Sequence, residues 1–223
     1  MVQGIIQLVD ARGRKYLTRD ERDRFLQAAT QEREPIRQTF ALTLAHTGAR
    51  LSEVLALRPA DIDLDANAIR IRTLKRRAEH WREVPLPPEV LRALELVHGL
   101  RAIRPKRTGE PLWPWSRATG HRRIVAVMQR AGVSGPQACP KGLRHSFGIA
   151  AVSAGVPLPT IAAVLGHADI STTAIYTTAV GLEARQFLAR MWNPILTQHR
   201  PDPAHSNKTA LQPEVARENR TGR

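Results

Sequence analysis

One stretch in the C-terminal half of the chain carries side chains that can attack a phosphodiester without a metal. It begins with two cations, Lys141 and Arg144, which a helix would place on one face because they are three residues apart. His145 follows directly. The stretch continues through a Leu-Gly-His break at His167 and ends at Tyr176. Cations, imidazoles and a phenol together indicate phosphoryl transfer with a side chain as the nucleophile.

The phenol of Tyr176 is a weak nucleophile unless neighbouring groups favour its ionisation. The unperturbed pKa of tyrosine is about 10, so only about one molecule in a thousand is ionised at pH 7. Attack by Tyr176 therefore requires nearby cations or a base. Lys141 and Arg144 are candidates to supply positive charge.

Helical patterns cover most of the sequence upstream of this stretch. Residues 18–21 have the form of a capping box and predict a first helix. A second helix begins at Pro35 and ends at Gly48. A third begins near Arg50, beside a glycine that lets the backbone come close to a ligand, and ends at Arg58-Pro59.

After residue 59, the spacing of the apolar residues changes from the 3.6-residue period of a helix to the 2-residue period of a strand. Residues 68–72 alternate, and residues 81–86 form a second extended run. Between them, a basic hairpin loop is predicted with three consecutive cations at its tip, Lys75, Arg76 and Arg77. The sequence therefore predicts a mainly α fold with a small antiparallel β-sheet.

Further helices are predicted downstream. They run from Pro87 to Gly99, from Ser116 to Gly132 and from Gly181 to Trp192, with two or three short helices in residues 141–176. The basic, proline-containing interval 100–114 is predicted as a loop.

Composition limits the function classes. The chain has 34 Lys and Arg against 20 Asp and Glu, a formal net charge of +14, so the expected partner is a polyanion, first of all nucleic acid. A single cysteine, Cys139, excludes an internal disulfide framework and suits a reducing cytosol. The eight histidines show no paired ligand spacing, so we expect no metal. No apolar run approaches the roughly 20 residues that span a bilayer, so no membrane partner is expected.

Each candidate has an ordinary structural explanation when it is taken alone. Arg50 suits an exposed helix start, and Lys75 suits a solvated hairpin tip. His145 suits a hydrogen-bonded core histidine, and Tyr176 suits core packing. The order and spacing of the whole set carry the inference.

Five separated motifs together resemble the tyrosine recombinase (phage integrase) family. They are TGARLSEVLAL, a hairpin lysine before REVPL, K-x-x-R-H, LGH, and a tyrosine nine residues after that histidine. The resemblance covers roughly residues 17–192. It implies the catalytic-domain fold of that family and an enzyme that cleaves and rejoins DNA through a 3′-phosphotyrosyl intermediate, with no cofactor.

The resemblance also implies a role for each motif residue. Arg50 and Arg144 would clamp the scissile phosphate, and a pair of guanidinium groups suits the charge that develops on its oxygens. Lys75 would protonate the leaving 5′ oxygen, His167 would donate a hydrogen bond to the phosphate, and Tyr176 would be the nucleophile. We expect the phenol and the two guanidinium groups to share one anion pocket.

Five other residues also receive roles, and Lys141 is counted with the catalytic cations. Glu53 matches an acidic position that supports the first arginine, and His145 matches a supporting position after the second. Lys141 stands where most family members have histidine, which leaves a general-base role at this position open. Arg76 and Arg77 would contact DNA.

The resemblance implies the partners and, with the composition of the flanking segments, suggests a domain plan. Most members of the family carry a helical core-binding domain ahead of the catalytic domain, and in this respect the expected plan departs from the family. We expect an N-terminal arm (1–16), a catalytic domain (17–192), a disordered tail (193–223) and no N-terminal core-binding domain. The partner would be double-stranded DNA, bound by a protein that is monomeric in solution and tetrameric on DNA, with an accessory DNA-binding protein. We expect a cytoplasmic, nucleoid-associated protein encoded by a bacterium, phage or plasmid. Two alternatives remain: relaxation of DNA like a type IB topoisomerase, and a non-catalytic DNA-binding module.

Overall fold

The computed structural model describes residues 8–11, 13–73, 79–102 and 109–179 of the chain. The hairpin cations Lys75, Arg76 and Arg77, the predicted helix 181–192 and the predicted tail 193–223 lie outside the described residues.

Helices make up most of the described structure and follow the sequence predictions closely. They are α1 (Arg19–Thr30), α2 (Pro35–Thr47), α3 (Leu51–Leu55), α4 (Pro88–His98), α5 (Arg117–Arg130), α6 (Pro140–Ser153), α7 (Leu158–Leu165) and α8 (Ser171–Ala179). Short 3₁₀ turns occur at Pro59–Asp61 and Leu100–Ala102. Among the described residues, none of these helices has the length and apolar character needed to cross a membrane.

The helix ends show why these boundaries form. Thr18 and Glu21 make the predicted capping box at the start of α1. Gly48 ends α2 in the left-handed region, with φ of 58°, and Gly166 ends α7 with φ of 67°. The third helix is shorter than predicted and ends at Leu55, ahead of the residues that Pro59 forces into extended backbone.

A small antiparallel sheet in the order β3-β4-β5 confirms the predicted fold class. Its strands are β3 (Ile62–Asp63), β4 (Ala68–Arg72) and β5 (Trp81–Pro85). Arg72 pairs with Trp81 at the end that leads into the hairpin. The sequence patterns predicted β4 and β5 but missed β3, whose two residues are too few to show alternation.

The main core forms between helices α1 to α6 and the inner face of the sheet. Phe40 of α2 makes edge-to-face contacts with Trp113 and Trp115, and the indole of Trp113 donates a hydrogen bond to the carbonyl of Ile36 at 3.0 Å. The predicted loop 100–114 has a short 3₁₀ turn at Leu100–Ala102 and no regular structure in residues 109–114, where Trp113 is fully buried in the core. A large aromatic side chain with a satisfied N–H stabilises a segment that has no regular structure.

A second, smaller apolar cluster surrounds α7 and α8. Its buried members are Leu8, Ile161, Leu165, Ile175 and Tyr176. Leu8 belongs to the predicted N-terminal arm, part of which forms a hairpin of β1 (Val9–Asp10) and β2 (Gly13–Arg14).

This hairpin is fastened to the rest of the domain. The side chain of Arg14 forms an ion pair with Glu21 of α1. Because Leu8 and Tyr176 belong to the same apolar cluster, the described part of the arm packs against the cluster that contains the candidate nucleophile.

Candidate active site

Arg50 lies where α2 ends and α3 begins. Its backbone N–H donates to Oε2 of Glu53 at 3.0 Å, and its Nη1 donates to Oε1 of the same carboxylate at 2.8 Å. The Arg50 side chain is 26% exposed, whereas the Glu53 side chain is fully buried. The carboxylate therefore holds the arginine in one orientation while leaving part of it open to solvent.

Two positive groups, Arg50 and Arg82, contact the carboxylate of Glu53. Burial acts to raise the pKa of its carboxyl group, but the charge of Arg82 and hydrogen bonds from Arg50 and Arg82 outweigh burial and lower the pKa. Glu53 is therefore ionised at neutral pH and pairs with both arginines.

Arg144 projects from α6 and is buried. Its Nη1 donates to the carbonyl of Gly48 at 2.8 Å and its Nη2 to the carbonyl of Leu165 at 2.9 Å. Burial, and next the positive charge of Arg50, lower the pKa of Arg144 to about 10. The positive charge of Arg50 thus lies close enough to act on Arg144.

His167 follows the left-handed Gly166 that ends α7. Its Nδ1 lies 2.8 Å from Oγ1 of Thr173, a fully buried residue of α8. Burial and the charges of Arg144 and Arg50 lower the pKa of His167 to about 4. The imidazole is therefore neutral at pH 7, and a neutral imidazole still has one N–H to donate.

Tyr176 lies in α8 with only 1% of its surface exposed. Its ring packs against Gly148 of α6, where an added Cβ would lie 2.4 Å from Cε2 of the ring. The ring also stacks on His167, with centroids 6.4 Å apart. Burial raises the pKa of the phenol, while the charges of Arg144 and Arg50 act in the opposite direction.

The site differs in one respect from the expected anion pocket shared by the phenol and the two guanidinium groups. Both arginines act on Tyr176, but its hydroxyl is covered, because the ring belongs to the apolar cluster of α7 and α8. The burial cost on the phenolate exceeds the stabilisation that the two guanidinium groups provide.

His145 is the nearest polar partner of the phenol. Its Nδ1 lies 3.3 Å from the hydroxyl of Tyr176, and its buried Nε2 has no hydrogen-bond partner within the described part of the chain. Burial, and then the charges of Lys141 and Arg144, lower the pKa of His145 to about 4. Lys141 itself is exposed in the first turn of α6, whereas Arg144 is buried. The predicted cation pair shares a helix, and both charges act on His145.

Two contacting residues were missed from sequence. Thr173 lies in the Ser and Thr run before the tyrosine, and nothing in that run distinguishes it. Arg82 is the first residue of the REVPL motif, and the alternation of β5 places it on the buried side with Val84. A charged residue at an inward position of a strand was the signal that could have found Arg82.

The chain belongs to the phage integrase family, whose sequence profile matches residues 15–180. It is 33% identical over 170 residues to the tyrosine recombinase XerD of Brucella abortus, covering 70% of this chain and 54% of the relative. It is also 33% identical over 176 residues to the tyrosine recombinase XerA of Thermococcus kodakarensis, covering 73% and 57%. The chain thus spans about half the length of these curated relatives.

Solved structures agree with this assignment. A crystal structure of XerA recombinase superposes with a TM-score of 0.63 at 28% identity, covering 84% of this chain and 65% of that one. The catalytic domain of bacteriophage HP1 integrase, at 22% identity and a TM-score of 0.55, shares the fold and covers 83% of this chain and 98% of that one. The predicted family and catalytic-domain fold are confirmed.

Proposed function

We propose that this chain cleaves and rejoins DNA strands through a covalent 3′-phosphotyrosyl bond to Tyr176, as the catalytic part of a site-specific recombinase. One observation carries the proposal. Arg50, Arg144, His167 and Tyr176 come from four separate elements, yet the ring of Tyr176 stacks on His167 and the charges of Arg50 and Arg144 act on both of these residues.

The chemistry follows from these groups. The oxygen of Tyr176 attacks the phosphorus and its proton leaves to water, the bond from phosphorus to the 5′ oxygen breaks, and that oxygen takes a proton from Lys75. Arg144 donates two N–H groups to backbone carbonyls. Its remaining N–H donors, together with those of Arg50, stabilise the charge on the non-bridging oxygens of the phosphate. His167 donates its N–H to the phosphate. The reverse reaction rejoins a strand without ATP or metal, because the phosphotyrosyl bond retains the energy of the phosphodiester.

The buried phenol supports an additional step before attack. The hydroxyl of Tyr176 is covered and its pKa is raised, so it is a poor nucleophile in this arrangement. We propose that α8 moves the ring away from Gly148 toward the phosphate held by the arginines. Leaving the apolar cluster removes the burial that opposes ionisation, so the positive charges of Arg50 and Arg144 then dominate.

Double-stranded DNA is the proposed partner. The net charge of +14 supports binding to a polyanion. Structures of similar fold include XerH recombinase bound to its palindromic difH substrate and the Tn1549 integrase in complex with transposon end DNA. We further propose a monomer in solution, a tetramer on paired DNA sites and an accessory DNA-binding protein, which light scattering with and without DNA would test.

Covalent trapping tests the proposed reaction. A pool of nicked duplexes with randomised sequence is incubated with the protein, and the adducts that survive denaturation are isolated and sequenced. We expect the parent to trap DNA at a recurrent site and Tyr176→Phe to trap none while still binding DNA.

The other tyrosine supplies the control. Tyr16→Phe removes the only other phenol in the chain and should trap DNA like the parent. Adduct formation by Tyr176→Phe would remove Tyr176 from the role. Absence of adduct from every variant would favour a non-catalytic DNA-binding module, and trapping without a recurrent site would favour topoisomerase-like relaxation.

A further inference from the structure

Arg82 connects three segments of the domain through one buried guanidinium group. Only 7% of the residue is exposed. Its Nη2 donates to Oε2 of Glu53 at 2.6 Å, its Nη1 to Oγ1 of Thr73 at 2.8 Å, and its Nε to the carbonyl of Val164 at 2.8 Å. The three acceptors belong to α3, the end of β4 and α7.

The first contact, with Glu53, acts on Arg50, one of the two arginines proposed to bind the phosphate. Glu53 binds Arg50 through both carboxylate oxygens, and one of those oxygens, Oε2, also accepts from Arg82. With Arg82 in place, the carboxylate is held from two sides and cannot rotate without breaking a buried ion pair. The orientation of Arg50 therefore depends on Arg82.

The second contact reaches the segment that carries His167. Arg82 and Arg144 bind consecutive carbonyls in the last turn of α7, those of Val164 and Leu165. These carbonyls have no partner within the helix, so cations at this end satisfy them and oppose the negative end of the helix dipole. The last turn of α7, directly ahead of His167, is thus fixed by two arginines.

The third contact reaches the base of the basic hairpin. Thr73 is buried and lies two residues before Lys75 in the chain. Gly166 packs directly on this contact, because a Cβ added there would lie 2.9 Å from Nη1 of Arg82 and 3.1 Å from Oγ1 of Thr73. The end of α7 and the base of the hairpin therefore meet at Arg82 without space for a side chain between them.

We propose that Arg82 is a positioning residue that holds Arg50 and the turn before His167 in the mutual arrangement needed to bind the scissile phosphate during strand cleavage. This inference rests on the proposed function. An apolar residue would fill this inward strand position at lower desolvation cost. A guanidinium fork, in contrast, satisfies three fixed acceptors at once, which neither an apolar side chain nor a lysine does.

The test separates positioning of the clamp from loss of folding. Cleavage rates under single-turnover conditions are measured for Arg82→Met and Arg82→Lys, with Arg92→Met as the control, since Arg92 is an exposed arginine of α4. Each protein is tested on a scissile phosphodiester and on a methylphosphonate at the same position. The methylphosphonate lacks the negative charge that the arginines stabilise, so its cleavage depends less on their placement.

We expect both Arg82 variants to lose about tenfold or more in phosphodiester cleavage, below the roughly 10²–10³-fold lost when an oxyanion donor is removed directly. On the methylphosphonate we expect a loss of less than about threefold relative to the parent, and no loss for Arg92→Met. Equal losses on both substrates would overturn the proposal, because partial unfolding or weaker DNA binding affects the two alike. Arg82→Lys keeps a charge beside Glu53 and so keeps the fold, and its full activity would also overturn the proposal.

A second readout does not depend on activity. Carboxyl NMR of the parent should place the pKa of Glu53 below the ordinary range, and Arg82→Met should raise it. An unchanged titration would overturn the role of Arg82. A parent protein that forms no Tyr176-dependent adduct would refute the proposed function instead, and the Glu53 titration would then decide the role of Arg82 alone.

Discussion

Replacement of Gly148 by alanine should show how closely the ring of Tyr176, the candidate nucleophile, packs against α6. An added Cβ would lie 2.4 Å from Cε2 of Tyr176 and 2.6 Å from two further ring atoms. Carbon atoms in contact are normally about 3.5–4.0 Å apart, so the ring must move by about 1 Å or more. The ring cannot make this move within a close-packed cluster, and we expect it to swing toward solvent.

Two opposing effects set the size of the stability change. Alanine is favoured over glycine inside a helix by about 0.5–1 kcal/mol. Forcing extra atoms into a packed site costs about 1–3 kcal/mol. We expect Gly148→Ala to lower the free energy of unfolding by about 1–2 kcal/mol, since the clash outweighs the gain in helix propensity.

Ionisation of the phenol gives a second, sharper readout. The raised pKa of Tyr176 means that the fold favours the neutral phenol. This contribution to stability is complete below the unfolded pKa of about 10 and is lost as the pH rises through the folded pKa. With the ring displaced, burial no longer opposes ionisation, and the charges of Arg144 and Arg50 should lower the pKa toward or below 10.

The assay is an ultraviolet titration of phenolate in a Tyr16→Phe background, which leaves Tyr176 as the single tyrosine. Chemical denaturation of the same proteins gives the stability change. Gly109→Ala is the control, because a Cβ at Gly109 meets no atom within 4 Å. A Gly148→Ala protein that is more stable than the parent and has an unchanged phenol pKa would refute the packing of Tyr176 on Gly148.

Three further predictions follow from the site and the charge. Arg144→Ala should reduce the rate of strand cleavage by about 10²–10³-fold, whereas Lys141→His should retain cleavage, and single-turnover assays would reveal a failure of either expectation. His145 and His167 have pKa values of about 4 in the folded protein, below the ordinary 6.5, so stability should fall as the pH drops from 6.5 to 4, by at most about 1.4 kcal/mol per pH unit for each histidine. Denaturation across this range checks the slope, and replacing either histidine with glutamine should reduce it. DNA affinity should fall about a hundredfold between about 50 and 200 mM salt for four phosphate contacts, and a flat titration would contradict the electrostatic basis of binding.

Local chemistry made much of the fold predictable. The capping box at Thr18, the proline at position 35 and the glycines that end α2, α4 and α7 act within a few residues, so their effects can be read without knowing the rest of the chain. The same holds for β4 and β5, whose alternation follows from one buried face. The third strand, β3, was missed because two residues carry no periodicity.

The identities of the candidate site residues were also available from the sequence. Residue type and order suffice to name a candidate arginine at a helix start, a histidine after a helix-ending glycine and a tyrosine nine residues later, while their roles stay predictions. The net charge of +14 likewise comes from the sequence alone, and so does the expectation of a polyanionic partner.

The burial, the pKa values and the contacts of these residues were decided by the tertiary structure. The burial of Tyr176 depends on Gly148 and on a cluster that includes Leu8, which lies 168 positions earlier in the chain. The lowered pKa of His167 arises from burial and from the charges of Arg144 and Arg50, which lie on other elements. The role of Arg82 exists only where α3, β4 and α7 meet. Desolvation and Coulomb interactions depend on distances in space, and neighbours in the chain do not determine those distances.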